Sequence, residues 1–202
     1  ELVENALDAG ARRVEVALEA GGRQLIRVSD DGSGIAGDEL LLAFEPHATS
    51  KLSEVDDLLA IASYGFRGEA LASIGAVSRA RIRSRVEGAD GFEVVCDGGE
   101  IGAVKPCGTP RGTLIEARNL FFNIPARARF LKGDSAEASR CLDQVLRFAL
   151  LDEGVAFRVT HNDKTVFEVA ADASRVERFA NAYGADLARD LIPLDHHHGG
   201  IF

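Results

Sequence analysis

Alternating segments joined by short turns constrain the fold of this chain most strongly. Residues 13–29 hold two segments in which apolar and polar side chains alternate, and Gly21-Gly22 between them predicts a hairpin turn. Residues 157–169 predict a second hairpin. Between them, residues 138–149 show apolar side chains at intervals of three or four, which predicts a long amphipathic helix. Hairpins interleaved with helices predict a mixed β-sheet with helices on one face, not a doubly wound parallel sheet.

Composition bounds the class of protein. The chain has 202 residues, a formal net charge of −9 and 46% hydrophobic residues, enough for one sizeable domain and part of another. The acidic balance argues against a nucleic-acid surface on this chain alone. The sequence shows no apolar run of membrane-spanning length and no signal peptide. Its three cysteines lack metal-type spacing, and because their number is odd we expect reduced thiols in a cytoplasmic protein. Because it lacks Met and begins within a predicted helix, we expect the chain to be a piece of a longer protein.

Two polar residues near the start of the chain share one helical face. Glu1 and Asn5 are four residues apart on a helix that Gly10 is predicted to end. Alone, a carboxylate beside a carboxamide is typical of a solvated polar stripe. The motifs that follow make it a candidate for chemistry.

Three glycine-bearing motifs follow in order. Asp30-x-Gly32-x-Gly34 comes after a strand, where the carboxylate can accept from an amino group and the glycines admit a flat ligand. Residues 65–71 precede a predicted helix, whose first backbone N–H groups suit phosphate. Gly112-Thr113 opens a later strand. Taken singly, these motifs are typical of surface turns and helix caps.

In this order the motifs resemble those of the gyrase/chaperone/histidine-kinase/MutL ATPase superfamily. Longer words narrow the resemblance to the MutL family of DNA mismatch-repair ATPases. These words are Glu1-Leu2-Val3-Glu4-Asn5, Asp8-Ala9-Gly10-Ala11, His47-Ala48-Thr49-Ser50-Lys51, Gly65-Phe66-Arg67-Gly68-Glu69-Ala70-Leu71-Ala72-Ser73-Ile74 and Asn123-Ile124-Pro125-Ala126-Arg127. The resemblance implies an α+β fold, a two-layer sandwich of a mixed β-sheet with helices on one face (the Bergerat-type ATP-binding fold). That domain is expected over residues 1–171, and residues 172–202 are expected to begin a ribosomal-protein-like second α/β domain.

The resemblance also implies a role for each matching residue. Glu1 is expected to be the general base that activates water, and Asn5 the Mg²⁺ ligand. Asp30 is expected to accept from the adenine amino group, with Thr113 supporting it. The other residues expected to contact nucleotide lie beside the base, in a lid and in a phosphate-binding loop: Gly32 and Gly34; Thr49, Ser50 and Lys51; Arg67, Gly68, Glu69, Ala70 and Leu71.

The implied function is ATP binding and slow hydrolysis, with ATP ordering the lid and promoting homodimerisation through the N-terminal region. Implied cofactors are ATP and Mg²⁺, and implied partners are mismatch-recognition and other repair proteins. DNA would be bound by the full-length protein and not by this acidic chain. The implied localisation is a bacterial-type cytoplasm, where the protein would act at the nucleoid. Two alternatives stay open: a non-hydrolysing ATP-gated scaffold, and another ATPase of the superfamily, such as a topoisomerase subunit or a sensor kinase.

Several further patterns have structural interpretations. Asp31 stands where the family often has Asn, a difference expected to alter little. Alternating arginines are interpreted as a solvated sheet face, the paired phenylalanines as core, the histidine triplet as a solvated loop, and Asp38 as the cap of a short helix through Phe44. The residues concerned are Arg79, Arg81, Arg83 and Arg85; Phe121 and Phe122; His196, His197 and His198.

Overall fold

A mixed β-sheet of nine strands organises the protein. The computed structural model describes residues 1–45 and 69–192. Within them the strands are β1 (Arg13–Glu19), β2 (Leu25–Asp30), β3 (Arg79–Arg85), β4 (Phe92–Asp97), β5 (Glu100–Ile101), β6 (Lys105–Pro106), β7 (Gly112–Arg118), β8 (Ala156–His161) and β9 (Lys164–Val169). Their order is β5-β4-β3-β7-β2-β1-β8-β9, and β6 pairs with β4. The β1–β8 pair is parallel and the others are antiparallel.

Helices connect and cover these strands. They are α1 (Leu2–Asp8), α2 (Ala70–Val77), α3 (Pro125–Ala128), α4 (Asp134–Leu151), α5 (Arg175–Tyr183) and α6 (Ala185–Arg189). Short 3-10 turns occur at Ala20–Gly22 and Leu42–Phe44. In the described ranges, no helix combines the length and apolar character needed to cross a bilayer.

One row of side chains shows that the core lies on a single face of the sheet. Successive cross-strand partners are all buried, and because partners in register project to the same side, they form one continuous apolar face. The row runs through Val159, Val16, Val28, Ile115, Ile82 and Val94. Helices α1 and α4 cover the half of this face around β1 and β8, and α2 contacts β3 and β4. The predicted two-layer α+β fold with helices on one face is therefore confirmed.

The opposite face of the central strands is charged. Arg81 and Arg118 both reach Glu116, which is only 3% exposed, and Arg83 bonds Glu93 at 3.0 Å. Burial alone would raise the pKa of Glu116, but the hydrogen bond and charge of Arg81, with Arg118, hold it below its usual value. The alternating arginines therefore share one face, as expected, but Arg81 and Arg83 are partly buried in ion pairs and are not freely solvated.

Two local predictions are wrong. The helix expected from Asp38 to Phe44 is only a 3-10 turn at Leu42–Phe44. Its cap position is Leu41, no side chain caps it, and so short a segment has little to stabilise a first helical turn. Phe122 is not core: its ring is 41% exposed, and the Arg79 guanidinium lies over it at 5.1 Å.

Helix α5 packs onto the same body as the sheet. Its Arg178 is fully buried and donates to the carbonyl of Ala149 in α4 at 2.8 Å and to that of Val155, before β8, at 2.9 Å. A capping box of Ser174 and Glu177 begins the helix. The boundary at residues 171/172 stays a prediction, with α5 anchored to the first domain.

Candidate functional site

Asp30 lies at the end of β2, at the edge of the helix-covered face. Its Oδ1 atom accepts from the Gly32 N–H at 2.9 Å and from the Thr113 N–H at 3.3 Å. Burial raises the pKa of Asp30 to about 6, and the charge of Asp31 adds to this, although the two N–H donors oppose the shift. Among the described residues, both of its hydrogen bonds end on Oδ1. Oδ2 is therefore placed to accept from a ligand.

Glycines let backbone segments meet around this carboxylate. Gly34 has φ +77°, and a Cβ there would overlap the Arg85 carbonyl oxygen. Gly112 has φ +102°, and a Cβ there would overlap the carbonyl oxygen of Asp30 itself. A side chain at either position would force the strands and the loop apart.

Helix α1 is joined to the same loop. The Ala9 carbonyl accepts from the Ser33 N–H at 2.9 Å, and a Cβ on Gly32 would lie 2.8 Å from that oxygen. Asn5 and Glu1 are one turn apart, with the Asn5 N–H donating to the Glu1 carbonyl at 2.9 Å. The structure thus joins the element that bears Glu1 and Asn5 to the loop that follows Asp30.

Asp31 has a structural task that the sequence did not reveal. Its Oδ1 accepts from the backbone N–H groups of Arg12 and Arg13, at 2.7 and 2.8 Å. The contact fixes the turn between α1 and β1. An asparagine would offer an oxygen in the same place, so the predicted small effect of this exchange has a geometric basis.

Ser84 is a site residue that sequence reasoning missed. Its side chain is fully buried, and its Oγ lies 2.7 Å from the Ile35 nitrogen, 2.9 Å from the Gly112 carbonyl oxygen and 3.0 Å from Thr113 Oγ1. It therefore ties the loop after Gly34 to the start of β7. The available signal was a polar residue that follows Ala80 and Ile82 on the apolar face of β3.

The phosphate-binding segment is only partly within the described residues. Helix α2 begins at Ala70 after Glu69, as predicted, and Leu71 packs against the core cluster around Phe44. The other predicted residues of this loop and of the lid lie outside the described ranges: Arg67 and Gly68, and Thr49, Ser50 and Lys51. The histidine triplet at residues 196–198 also lies outside them.

The predicted magnesium ligand, Asn5, lies on α1. No group of three or more His, Cys, Asp or Glu side chains suited to a metal occurs within residues 1–45 and 69–192. Mg²⁺ typically takes one or two protein oxygens and completes its shell with phosphate oxygens and water. A carboxamide oxygen is a suitable ligand for such an ion, and the assignment of Asn5 stays a prediction.

Known proteins resemble this chain in sequence. Residues 1–95 match a family profile described as histidine kinase-, DNA gyrase B- and HSP90-like ATPase. The DNA mismatch repair protein MutL of Geotalea daltonii is 48% identical over 196 residues, which is 96% of this chain and 33% of that protein. MutL of Azorhizobium caulinodans is 48% identical over 206 residues, covering 100% of this chain and 33% of the relative. The chain thus spans about a third of the length of these relatives.

A solved structure agrees with the sequence relatives. The Aquifex aeolicus MutL ATPase domain complexed with ADP superposes with a TM-score of 0.71 at 31% identity, covering 90% of this chain and 65% of that one. An N-terminal domain of a DNA repair protein superposes with a TM-score of 0.75 at 24% identity, which supports the fold alone.

Proposed function

The chain belongs to the MutL family of DNA mismatch-repair proteins, and from that premise we propose that it binds ATP at the Asp30 site and hydrolyses it slowly. One observation carries the proposal. Asp30 is partly desolvated, and its Oδ1 is held by two backbone N–H groups while its Oδ2 is placed to receive a ligand. Such a carboxylate suits recognition of the amino group of adenine, and the glycines beside it suit close approach of a flat base.

Adenine recognition in this proposal depends on three elements. Asp30 accepts from the amino group, and Thr113, whose backbone N–H holds the carboxylate, supports it from β7. Gly32 and Gly34 provide the space beside the base. The similar Aquifex aeolicus MutL ATPase domain is complexed with ADP, which supports the proposal that this chain binds a nucleotide.

Hydrolysis in this proposal depends on α1. Glu1 serves as the general base that takes a proton from the attacking water, and Asn5 supplies a ligand to Mg²⁺. The ion, when bound, neutralises phosphate charge. The hydrogen bond between Ser33 and Ala9 ties α1 to residues 31–34, which we call the adenine loop. In this proposal, a shift of the adenine loop when the base binds therefore also moves Glu1.

Phosphate binding and the lid complete the proposal. Backbone N–H groups at Glu69, Ala70 and Leu71, with Arg67 and Gly68 before them, hold the phosphates at the start of α2. The segment that contains Thr49, Ser50 and Lys51 acts as the lid. Order–disorder of such a segment by a γ-phosphate would promote homodimerisation of the full-length protein.

The relatives support a role for the full-length protein in DNA mismatch repair. We propose that it dimerises when ATP binds, contacts mismatch-recognition and other repair proteins, and binds mismatched DNA in the cytoplasm. The acidic charge of this chain supports the proposal that the DNA contacts are made mainly by other parts of the full-length protein.

Two neighbouring carboxylates give a matched test of nucleotide binding. Asp30→Asn and Asp31→Asn each remove one negative charge from the same loop and keep an oxygen acceptor. Asp30→Asn should weaken ATP binding by about tenfold or more, because a charged acceptor is lost from the amino group. Asp31→Asn should change affinity by less than about twofold, since its amide oxygen still holds the Arg12 and Arg13 N–H groups.

Isothermal titration of folded variants with ATP and Mg²⁺ measures both effects. Equal losses in the two variants would contradict the assignment of Asp30. Binding that depends on Asp30, with no turnover in a single-turnover assay, would instead favour the non-hydrolysing scaffold.

A further inference from the structure

The buried hydroxyl of Ser84 has more neighbours than it has protons. Its Oγ lies 2.7 Å from the Ile35 nitrogen, 2.9 Å from the Gly112 carbonyl oxygen and 3.0 Å from Thr113 Oγ1. A backbone N–H can only donate, and a carbonyl oxygen can only accept. Two of the three contacts therefore have a fixed direction.

The direction of the third contact follows by counting protons. Ile35 donates to Ser84, and Ser84 donates its single proton to Gly112. We assign the Ser84 proton to Gly112 because that carbonyl oxygen is the nearer of its two acceptors, at 2.9 Å against 3.0 Å for Thr113 Oγ1. On this assignment the Thr113 hydroxyl donates to Ser84. With its own proton committed to Ser84, Thr113 Oγ1 has only lone pairs to offer any other group.

Thr113 lies beside Asp30, so the direction of the Thr113 hydroxyl bears on the proposed base site. Ser84 and Thr113 are cross-strand partners on β3 and β7, and the Thr113 backbone N–H bonds Asp30 Oδ1. Both side chains lie on the helix-covered face, where Asp30 also ends β2. The Asp30 carboxylate and the oriented Thr113 hydroxyl are then neighbouring hydrogen-bond acceptors, at the end of β2 and the start of β7.

We infer that Ser84 is a positioning residue that fixes Thr113 as a hydrogen-bond acceptor, so that the site selects a 6-amino purine over a 6-oxo purine. The inference rests on the proposed function, namely that the base binds beside Asp30. A 6-amino group has two protons and can donate one to each acceptor directly. A 6-oxo group would place a third acceptor beside the Asp30 carboxylate and Thr113 Oγ1. These oxygens would then face one another with no hydrogen bond, which weakens binding.

The test compares ADP with inosine diphosphate, which differs by carrying a 6-oxo group and a proton on N1. The full-length protein should bind ADP at least tenfold more tightly than inosine diphosphate. In Ser84→Ala the Thr113 hydroxyl is free to rotate and donate to O6. The ratio of the two affinities should then fall by about tenfold, since one buried hydrogen bond changes direction. Isothermal titration gives both affinities, and circular dichroism checks folding.

A double-mutant cycle separates polarity from a merely structural effect. Thr113→Val removes the hydroxyl that Ser84 orients, so Ser84→Ala should change the affinity ratio by less than about twofold in that background. If Ser84→Ala lowers the ratio equally with and without the Thr113 hydroxyl, or leaves it unchanged in the wild type, the inference is overturned. Ser84→Cys, a weaker donor of similar shape, should give an intermediate ratio and replaces Ser84→Ala if that variant does not fold.

The outcomes also distinguish the inference from the proposed function. A wild type that binds neither nucleotide overturns the proposed function and this inference with it. A wild type that binds ADP in an Asp30-dependent manner, with an affinity ratio insensitive to Ser84, overturns only the inference.

Discussion

At the scale of single residues, the carboxylate that we propose to bind adenine, Asp30, destabilises the fold when it is ionised. Its folded-state pKa is about 6 against an ordinary value of 3.8, chiefly because of burial. The folded protein therefore holds this proton more strongly than the unfolded chain does. The stabilisation is complete below pH 3.8, declines as the pH rises, and is lost above about 6. At neutral pH an ionised Asp30 thus destabilises the fold, as expected of a group kept for ligand recognition.

This linkage predicts opposite effects of one substitution on stability and on binding. Asp30→Asn should raise the free energy of unfolding at pH 7.5 by about 1–2 kcal/mol, after a discount for partial solvent screening, while it weakens ATP binding. The gain should shrink toward zero near pH 4. Urea unfolding at the two pH values measures it. Asp31→Asn is the comparison and should show a much smaller gain, because it removes only the charge contribution to the Asp30 shift and leaves the larger effect of burial. A variant less stable than the wild type at pH 7.5 would argue against a desolvated carboxylate.

At the scale of elements, the site depends on close backbone contacts at its glycines. Gly34 and Gly88 have nearly the same backbone φ angle, +77° and +75°. A Cβ on Gly34 would overlap the Arg85 carbonyl oxygen, whereas a Cβ on Gly88 meets nothing within 4 Å. The pair therefore separates backbone strain from steric overlap.

Alanine at these two positions should have unequal effects. Gly88→Ala should lower the free energy of unfolding by about 1–2 kcal/mol, the strain of a left-handed residue. Gly34→Ala should lower it by at least about 1 kcal/mol more and should weaken ATP binding, because the loop must move away from β3. Thermal unfolding and ATP titration measure the two effects. Equal stability losses with unchanged ATP affinity would show that Gly34 does not determine the approach of the loop.

The elements also show why some features were predictable from sequence. The alternation in residues 13–29 predicted the β1–β2 hairpin, because β1 has alternate residues buried. The Asn162-Asp163 turn was predictable because both residues tolerate the left-handed φ values of +50° and +61° found there. The 3-10 turn at Leu42–Phe44 was not, since the sequence offers Asp38 as a cap and yet no side chain caps the turn.

The candidate site was predictable in part, for a similar reason. Asp30, Gly34 and Thr113 belong to short words that a linear sequence displays. Ser84 acts through cross-strand register, which places it beside Thr113 and Ile35 only once the sheet has formed. A polar residue in an apolar row was the visible trace of that contact.

At the scale of the whole molecule, the sheet holds two cores under one set of helices. Leu2 of α1 packs against both core clusters, so the helix that bears Glu1 and Asn5 bridges them. The Ala9–Ser33 hydrogen bond joins this helix to the adenine loop. Nucleotide binding and catalysis are therefore assigned to separate residues on one connected unit, and they should be separable by mutation.

The most direct test of the account measures ATP affinity and single-turnover hydrolysis together, in the full-length protein and its Glu1→Ala and Asp30→Asn variants. Glu1→Ala should retain ATP affinity within about threefold and slow hydrolysis by about 10²–10⁴-fold, the usual contribution of a positioned acid–base group. Asp30→Asn should lose affinity first, with hydrolysis largely restored at saturating ATP. A Glu1→Ala protein that hydrolyses ATP at the wild-type rate would contradict the account, because Glu1 would then be part of a solvated polar stripe and not the base.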